Sequence, residues 1–128
     1  MDFKLTEEQR EFVHVVRKVC QKEFAPRAIK YLDGTWPAEN MKTLAEIGVL
    51  GMAVPEEYGG MGLKLADMAI VAQGLARVLL PEPLTAAAVL AARVIGDGAN
   101  EALKTKLLEG LVGGDILPAL AWQEAAGA

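Results

Sequence analysis

The chain has 128 residues, enough for one domain built around a single hydrophobic core. Apolar residues make up 52% of it and charged residues 23%, a balance that excludes an intrinsically disordered protein. The net charge is −4 and Lys and Arg are scattered among Asp and Glu, so the sequence lacks the concentrated cationic face of a nucleic-acid-binding protein.

The first helix is predicted from its N-terminal signal. Thr6-Glu-Glu-Gln9 has the form of a capping box, in which a hydroxyl and a glutamine three residues later satisfy free backbone amides. Apolar residues then recur at helical spacing as far as Phe24. We expect Pro26 to kink or end this helix, with a short helical piece following over residues 27–32.

Two residues of the first helix could be mistaken for chemical groups of a site. His14 falls on the charged face and has no partners at metal-ligand spacing, so we expect an exposed residue without a metal. Cys20 falls among apolar residues and should be a small buried hydrophobe. As the single cysteine it excludes an intramolecular disulfide, and it fits a reducing, cytoplasmic compartment.

A second helix should begin near Pro37 and end near Gly48, a suitable C-cap residue. The loop from Gly51 to Lys64 contains four glycines and one proline, so it cannot be a regular helix. Loops of this length are often functional. Because Gly59-Gly-Met-Gly62 lacks the spacing of a phosphate-binding loop, a structural turn is the favoured interpretation.

Two very apolar helices are predicted next, over residues 65–80 and 84–95, and both should be buried. Charged residues and prolines interrupt this stretch before it reaches the roughly 20 apolar residues that a bilayer requires, so we expect no membrane span. Pro81-Glu82-Pro83 separates the two helices, and Glu82 is interpreted as a turn residue. A fifth helix should run from the N-cap Asn100 to about Leu111.

The tail over residues 116–124 has the pattern of a β-strand, although no other segment of the chain could pair with it. The tail is either disordered here or belongs to a sheet in sequence that is missing. We predict an all-α fold, an orthogonal bundle of about five helices, and on the second alternative the C-terminal strand would begin a missing β domain. On this interpretation residues 1–114 form the helical domain and residues 115–128 the start of the β domain.

Several segments, in the same order along the chain, resemble the acyl-CoA dehydrogenase family. The clearest is Gly48-Val-Leu-Gly51 followed by Val54-Pro-Glu-Glu-Tyr-Gly-Gly-Met-Gly62. Residues 5–10 are similar to the start of that family, Phe24-Ala-Pro26 to the end of its first helix, and residues 119–124 to its first strand. The resemblance therefore extends over the whole chain.

The resemblance implies a flavin-dependent oxidoreductase of lipid metabolism. In that family FAD takes a hydride from the β-carbon of an acyl-CoA thioester, while a glutamate removes the α-proton. This glutamate would lie beyond Ala128, so neither a catalytic residue nor a metal ligand is expected here, and the chain alone should be inactive. The implied partners are the acyl-CoA, an electron-transfer flavoprotein or similar acceptor, and other subunits of a homo- or hetero-oligomer.

Residues 79–83 are further similar to the corresponding segment of a bacterial branch of the family, which acts on dicarboxylic or steroid side-chain CoA esters.

Two groups of site residues follow from the same resemblance. Leu120, Trp122 and Gln123 stand on the strand that contacts the flavin, with Gln123 where the family usually has threonine. The helix after Pro83 corresponds to one that lines the acyl pocket, and its candidate pocket residues are Leu84, Thr85, Ala88, Val89 and Ala92. The two alanines would leave room for a bulky acyl group.

A second interpretation stays open, in which the chain is a non-catalytic helical interaction module or a subunit remnant of the same family. Its C-terminal strand would then be a docking edge for another protein. A β-rich sequence encoded after Ala128 would favour the enzyme, whereas a stop codon would favour the module.

Overall fold

The computed structural model describes residues 4–98 and 100–121, and all regular secondary structure within these residues is helical. The prediction of an all-α domain is therefore confirmed. The described residues form five helical segments: α1 (Glu7–Val19) with its continuation through α2 (Ala25–Arg27); α3 (Ala38–Glu46); α4 (Leu65–Ala76); a π-helix, Thr85–Ala91, continued by α5 (Ala92–Gly96); and α6 (Glu101–Gly113).

The first segment begins with the predicted capping box. The Gln9 backbone N–H donates to Thr6 Oγ1 at 3.1 Å, and the Thr6 N–H donates to Gln9 Oε1 at 3.0 Å. These two bonds satisfy amides that the first turn of a helix leaves free, so the start of α1 is determined locally.

Pro26 does not end the first segment, because the helix changes type before reaching it. A π-helical turn, Cys20–Phe24, leads into α2, and a 3₁₀ turn, Ala28–Tyr31, follows. In the π turn the Ala25 N–H bonds five residues back, to the Cys20 carbonyl. This wider turn accommodates a proline, which has no N–H and would clash with the carbonyl of a normal α-helical turn. The predicted short helical piece after Pro26 is present.

The third predicted helix is shorter than expected. α4 ends at Ala76 rather than at Leu80, because Leu79 adopts a left-handed φ of +53° that stops the helix. The N–H groups of Val78 and Leu79 donate to the carbonyls of Leu75 and Ala76 and close the end of the helix. The chain therefore turns away before it reaches the two prolines.

The core lies between the helical segments. α1 packs against α4, where Gly74 lets the helices approach so closely that a Cβ there would lie 3.1 Å from Val16 Cγ1. α6 packs against α3, α5 and a 3₁₀ turn, Val49–Gly51. Leu44, Leu108 and Leu111 are completely buried at this junction, and each contributes about 1.5–3 kcal/mol by leaving water.

Candidate functional site

The five predicted acyl-pocket residues lie on or next to the helix formed by Thr85–Ala91 and α5. Leu84, Ala88 and Ala92 are 6%, 0% and 6% exposed and belong to the hydrophobic core. Val89 packs against the edge of that core, and Thr85 is exposed. The structure therefore brings four of the five residues to the inner side of the helix, and a ligand arriving from outside would reach Thr85 first. Their role in an acyl pocket stays a prediction.

The outer face of the same helix is also apolar but exposed, so the prediction that the whole helix is buried was wrong. Ala86 is exposed, and Leu90 and Val94 are each 47% exposed. When a helix is apolar on nearly all sides, its sequence contains no polar stripe that would mark the side facing the solvent. The inner and outer faces could therefore not be distinguished from the sequence alone. Its first part is a π-helix, a rare form that frequently occurs at functional sites.

The described chain includes only one of the three predicted flavin contacts. Leu120 is 36% exposed, whereas Trp122 and Gln123 lie outside the described residues. Between residues 116 and 121 the backbone forms no strand, as expected for a segment without a partner strand. Among the described residues Leu120 thus offers a single apolar side chain, which is not sufficient to hold a flavin.

The glycine-rich loop folds back on itself as a compact turn. The Met61 N–H donates to the Gly51 carbonyl at 3.0 Å, and the Leu63 N–H donates to the Met52 carbonyl at 2.8 Å. A Cβ on Gly60 would overlap the Val54 carbonyl, which explains structurally why a glycine stands at this position.

A side-chain contact also ties this loop to α6. The Tyr58 hydroxyl donates to Glu101 Oε2 at 3.1 Å, and Lys104 Nζ donates to Glu101 Oε1 at 2.7 Å. Burial, followed by the hydrogen bond to Glu101, raises the pKa of the Tyr58 hydroxyl. Backbone hydrogen bonds and this anchor account for the loop as a structural element.

A groove of about 490 Å³ opens between the start of α1, the start of α4 and the glycine-rich loop. Its rim includes Gln9 and Asp67, whose side chains are joined by a 2.7 Å hydrogen bond. Its floor is apolar and is formed by Phe12, Met52, Met61, Leu63, Ile70 and Val71. Beyond the two methionines of the glycine-rich loop, no pattern in the sequence indicated this groove.

Glu82 is buried, although a turn residue between two prolines would be expected to face water. It is 8% exposed, and among the described residues neither of its carboxylate oxygens makes a hydrogen bond. Burial raises the pKa of the Glu82 carboxyl, and the nearby Asn40 side chain lowers it in part.

His14 and Cys20, the two remaining candidate groups, have the exposure that was expected from the sequence. His14 is exposed, and within the described residues no group of three or more His, Cys, Asp or Glu side chains could hold a metal ion. Cys20 is 3% exposed, and burial raises the pKa of its thiol. No helix of the described chain is long and apolar enough to cross a membrane.

Comparison with known proteins identifies the family of this helical arrangement. The profile of the family described as "Acyl-CoA dehydrogenase, N-terminal domain" matches residues 6–115. The chain belongs to this family. The match covers all five helical segments, so the predicted family resemblance is confirmed.

Individual relatives agree with this assignment. The chain is 35% identical over 111 residues to the (2S)-methylsuccinyl-CoA dehydrogenase of Cereibacter sphaeroides, covering 84% of this chain and 20% of that protein. The fold is similar to that of butyryl-CoA dehydrogenase from Megasphaera elsdenii, with 30% identity and a TM-score of 0.78 over 91% of this chain and 32% of that one.

A second solved structure is that of the electron transferring flavoprotein of Acidaminococcus fermentans. A chain in it is 29% identical to this one, with a TM-score of 0.82 over 91% of this chain and 32% of that chain. The chain thus spans between 20% and 32% of the lengths of these three proteins.

Proposed function

We propose that this chain is the N-terminal part of an FAD-dependent acyl-CoA dehydrogenase that catalyses α,β-desaturation of an acyl-CoA thioester. The observation that carries the proposal is the family match over residues 6–115, supported by the TM-score of 0.78 to a butyryl-CoA dehydrogenase. FAD would accept the hydride, and the catalytic base and most of the flavin site would lie in sequence that follows Ala128. Residues 115–128 would begin the β domain.

Within that enzyme, the helix formed by Thr85–Ala91 and α5 would be one wall of the acyl and flavin site. Because Ala88 and Ala92 are buried, the side chains available to a ligand are Thr85, part of Val89 and the outer apolar face at Ala86 and Leu90. These side chains are small or aliphatic and fit an acyl chain rather than a charged group. Leu120, Trp122 and Gln123 would approach the flavin.

The partners and location of the enzyme belong to the same proposal. The similarity to a chain in the electron transferring flavoprotein structure supports such a flavoprotein as electron acceptor. The similarity to (2S)-methylsuccinyl-CoA dehydrogenase supports a short, branched or dicarboxylic acyl group as substrate. We further propose an oligomeric, cytoplasmic enzyme.

A dye-linked acyl-CoA dehydrogenase assay with added FAD tests the proposal. The 128-residue chain alone should give no turnover, whereas the protein with the sequence encoded after Ala128 should reduce the dye. In the longer protein, Thr85→Trp should raise KM for a bulky acyl-CoA at least roughly tenfold, because the side chain would narrow the pocket. The matched control is Ala102→Trp, at an exposed position on α6.

Three results would contradict the proposal. Turnover by the 128-residue chain alone would show that the chemistry does not depend on later sequence. An unchanged KM in Thr85→Trp would remove that helix from the acyl pocket. A stop codon directly after Ala128 would favour the non-catalytic module instead.

A further inference from the structure

We propose that Pro81-Glu82-Pro83 is a proton-dependent latch. Glu82 is held in the folded protein as a neutral carboxylic acid, and its ionisation releases the segment that positions the helix formed by Thr85–Ala91 and α5. The inference concerns the folding of this chain and does not depend on the proposed enzymatic function. Its basis is a carboxyl group that is 8% exposed and makes no hydrogen bond through either oxygen within the described residues.

Within the part of the chain that the structure describes, no cation forms an ion pair or hydrogen bond with the Glu82 carboxylate. The neighbouring Asn40 is 2% exposed, and its Oδ1 accepts a 3.2 Å hydrogen bond from Arg27 Nη1. Because the side-chain oxygen of Asn40 is already bonded to Arg27, the group of Asn40 that can contact Glu82 is its neutral amide nitrogen.

The cations in this region are already paired with other carboxylates. Arg27 contacts Glu23 at 2.6 Å and Glu39 at 3.3 Å, and Lys30 also pairs with Glu39. These four groups belong to the first helical segment and α3, and Arg27 is the one that contacts Asn40. An ionised Glu82 would thus be buried with only the neutral amide of Asn40 beside it, which is more costly than burying its neutral form.

Backbone hydrogen bonds connect the latch, Pro81-Glu82-Pro83, to the helix that follows it. The Leu84 N–H donates to the Glu82 carbonyl at 2.7 Å, and the Ala87 N–H donates to the Pro83 carbonyl at 3.0 Å. Because Pro81 and Pro83 have a fixed φ, the backbone on both sides of Glu82 has little freedom, and a shift of this segment would move the start of that helix. On the other side, Leu79 has a left-handed φ of +53°, which is a strained conformation for a leucine.

The direction of the pH effect follows from linkage. Burial places the pKa of Glu82 in the folded chain above the ordinary value of about 4.3 that it has when unfolded. Below about pH 4.3 both states are protonated, and the carboxyl does not disfavour folding. As the pH rises through the raised pKa, the unfolded state loses its proton first and the folded state becomes less stable. The latch is therefore closed in acid and opens toward alkaline pH.

The test compares the wild-type chain with Glu82→Gln, whose amide has the same shape but cannot ionise. Unfolding by urea is followed at about pH 5 and about pH 8, and hydrogen exchange is measured for residues 79–96. Relative to the variant, the wild-type folding equilibrium constant should fall severalfold between the two pH values, because the folded state holds the Glu82 proton more tightly than the unfolded state. Exchange in residues 79–96 should become faster in the wild type than in the variant only at the higher pH.

Glu56→Gln is the matched control, because Glu56 is an exposed carboxylate in the glycine-rich loop and its replacement should leave the wild-type pH dependence unchanged. Parallel pH profiles for wild type and Glu82→Gln would overturn the proposal. If Glu82→Gln does not fold, carboxyl ¹³C titration of the wild type decides the question. A glutamate that titrates above about 4.3, together with faster exchange in residues 79–96 at the same midpoint, supports the latch. Absence of such a glutamate overturns it.

Discussion

Gln9 Nε2 donates a 2.7 Å hydrogen bond to Asp67 Oδ1, and this bond joins the N-termini of two packed helices. Gln9 Oε1 also accepts from the Thr6 N–H, and Asp67 Oδ2 accepts from the Lys64 N–H at 3.0 Å. One continuous series of hydrogen bonds therefore caps both α1 and α4. It brings the Asp67 carboxylate to a point where two helix dipoles both favour negative charge.

Breaking this shared cap should destabilise the domain more than the loss of one exposed hydrogen bond. We expect Gln9→Ala and Asp67→Ala each to lower the free energy of unfolding by about 1 kcal/mol, since each removes a cap. A double-mutant cycle from urea unfolding should give a coupling energy of about 0.5–1.5 kcal/mol between the two positions. Gln21→Ala, at an exposed position, should change the stability by less than about 0.5 kcal/mol. A coupling energy of zero would show that the two caps act independently.

Replacement of Leu79 by glycine should stabilise the protein. Leu79 has a φ of +53° and is 84% exposed, so glycine relieves the backbone strain and sacrifices little buried surface. We expect the free energy of unfolding to rise by about 0.5–1 kcal/mol, after the greater flexibility of glycine in the unfolded chain is deducted. Leu103→Gly, at an exposed position within α6, should instead lower it by about the same amount. A destabilised Leu79→Gly would contradict the assigned left-handed conformation.

Alanine substitution at Gly60 tests the packing of the glycine-rich loop, and the same substitution at Gly96, where there is open space, is its control. A Cβ on Gly60 would collide with the Val54 carbonyl, so Gly60→Ala should lower the free energy of unfolding by at least about 2 kcal/mol. A Cβ on Gly96 would meet no atom within 4 Å, so Gly96→Ala in α5 should be neutral or stabilise by up to about 1 kcal/mol. Thermal or urea unfolding of both variants measures the contrast. Equal effects would mean that the loop is not packed as described.

The thiol of Cys20 should report on opening of the α1–α4 interface. It is 3% exposed, lies 3.7 Å from the Gly74 carbonyl, and burial raises the pKa of the thiol. Reaction with a disulfide reagent near neutral pH should therefore be slow in the folded chain, because both access and the thiolate fraction are low. It should become fast in denaturing urea. Rapid labelling of the native protein would contradict the burial of this residue.

Local signals in the sequence were sufficient to predict most helix boundaries. The Thr6–Gln9 capping box, the left-handed Gly48 and the N-cap Asn100 all act within a few residues of the helix end that they define. The family resemblance was likewise carried by short motifs, of which the glycine-rich loop is the clearest. Such features depend on the backbone nearby and not on distant contacts.

The predictions from the sequence were wrong where helix type, helix ends or burial depend on tertiary packing. The π turn before Pro26 and the early end of α4 at Leu79 both require knowledge of the neighbouring helices. Buried Glu82 lies beside Asn40, which is more than forty residues earlier in the chain, so its burial reflects tertiary packing. The pocket role of the residues on the 84–96 helix stays a prediction, because an alanine-rich helix has no polar face to set its orientation. Trp122 and Gln123 lie outside the described residues, so their flavin contacts stay predictions.

Anaerobic flavin spectroscopy of the gene product at its native length tests the central claim most directly. We predict that the purified protein carries FAD, and that addition of an acyl-CoA bleaches the flavin absorbance as the β-hydride is transferred. The 128-residue chain purified in the same way should carry no flavin. A native-length protein without FAD, or one whose flavin is unchanged by acyl-CoA thioesters, would contradict the assignment of this domain to a working dehydrogenase.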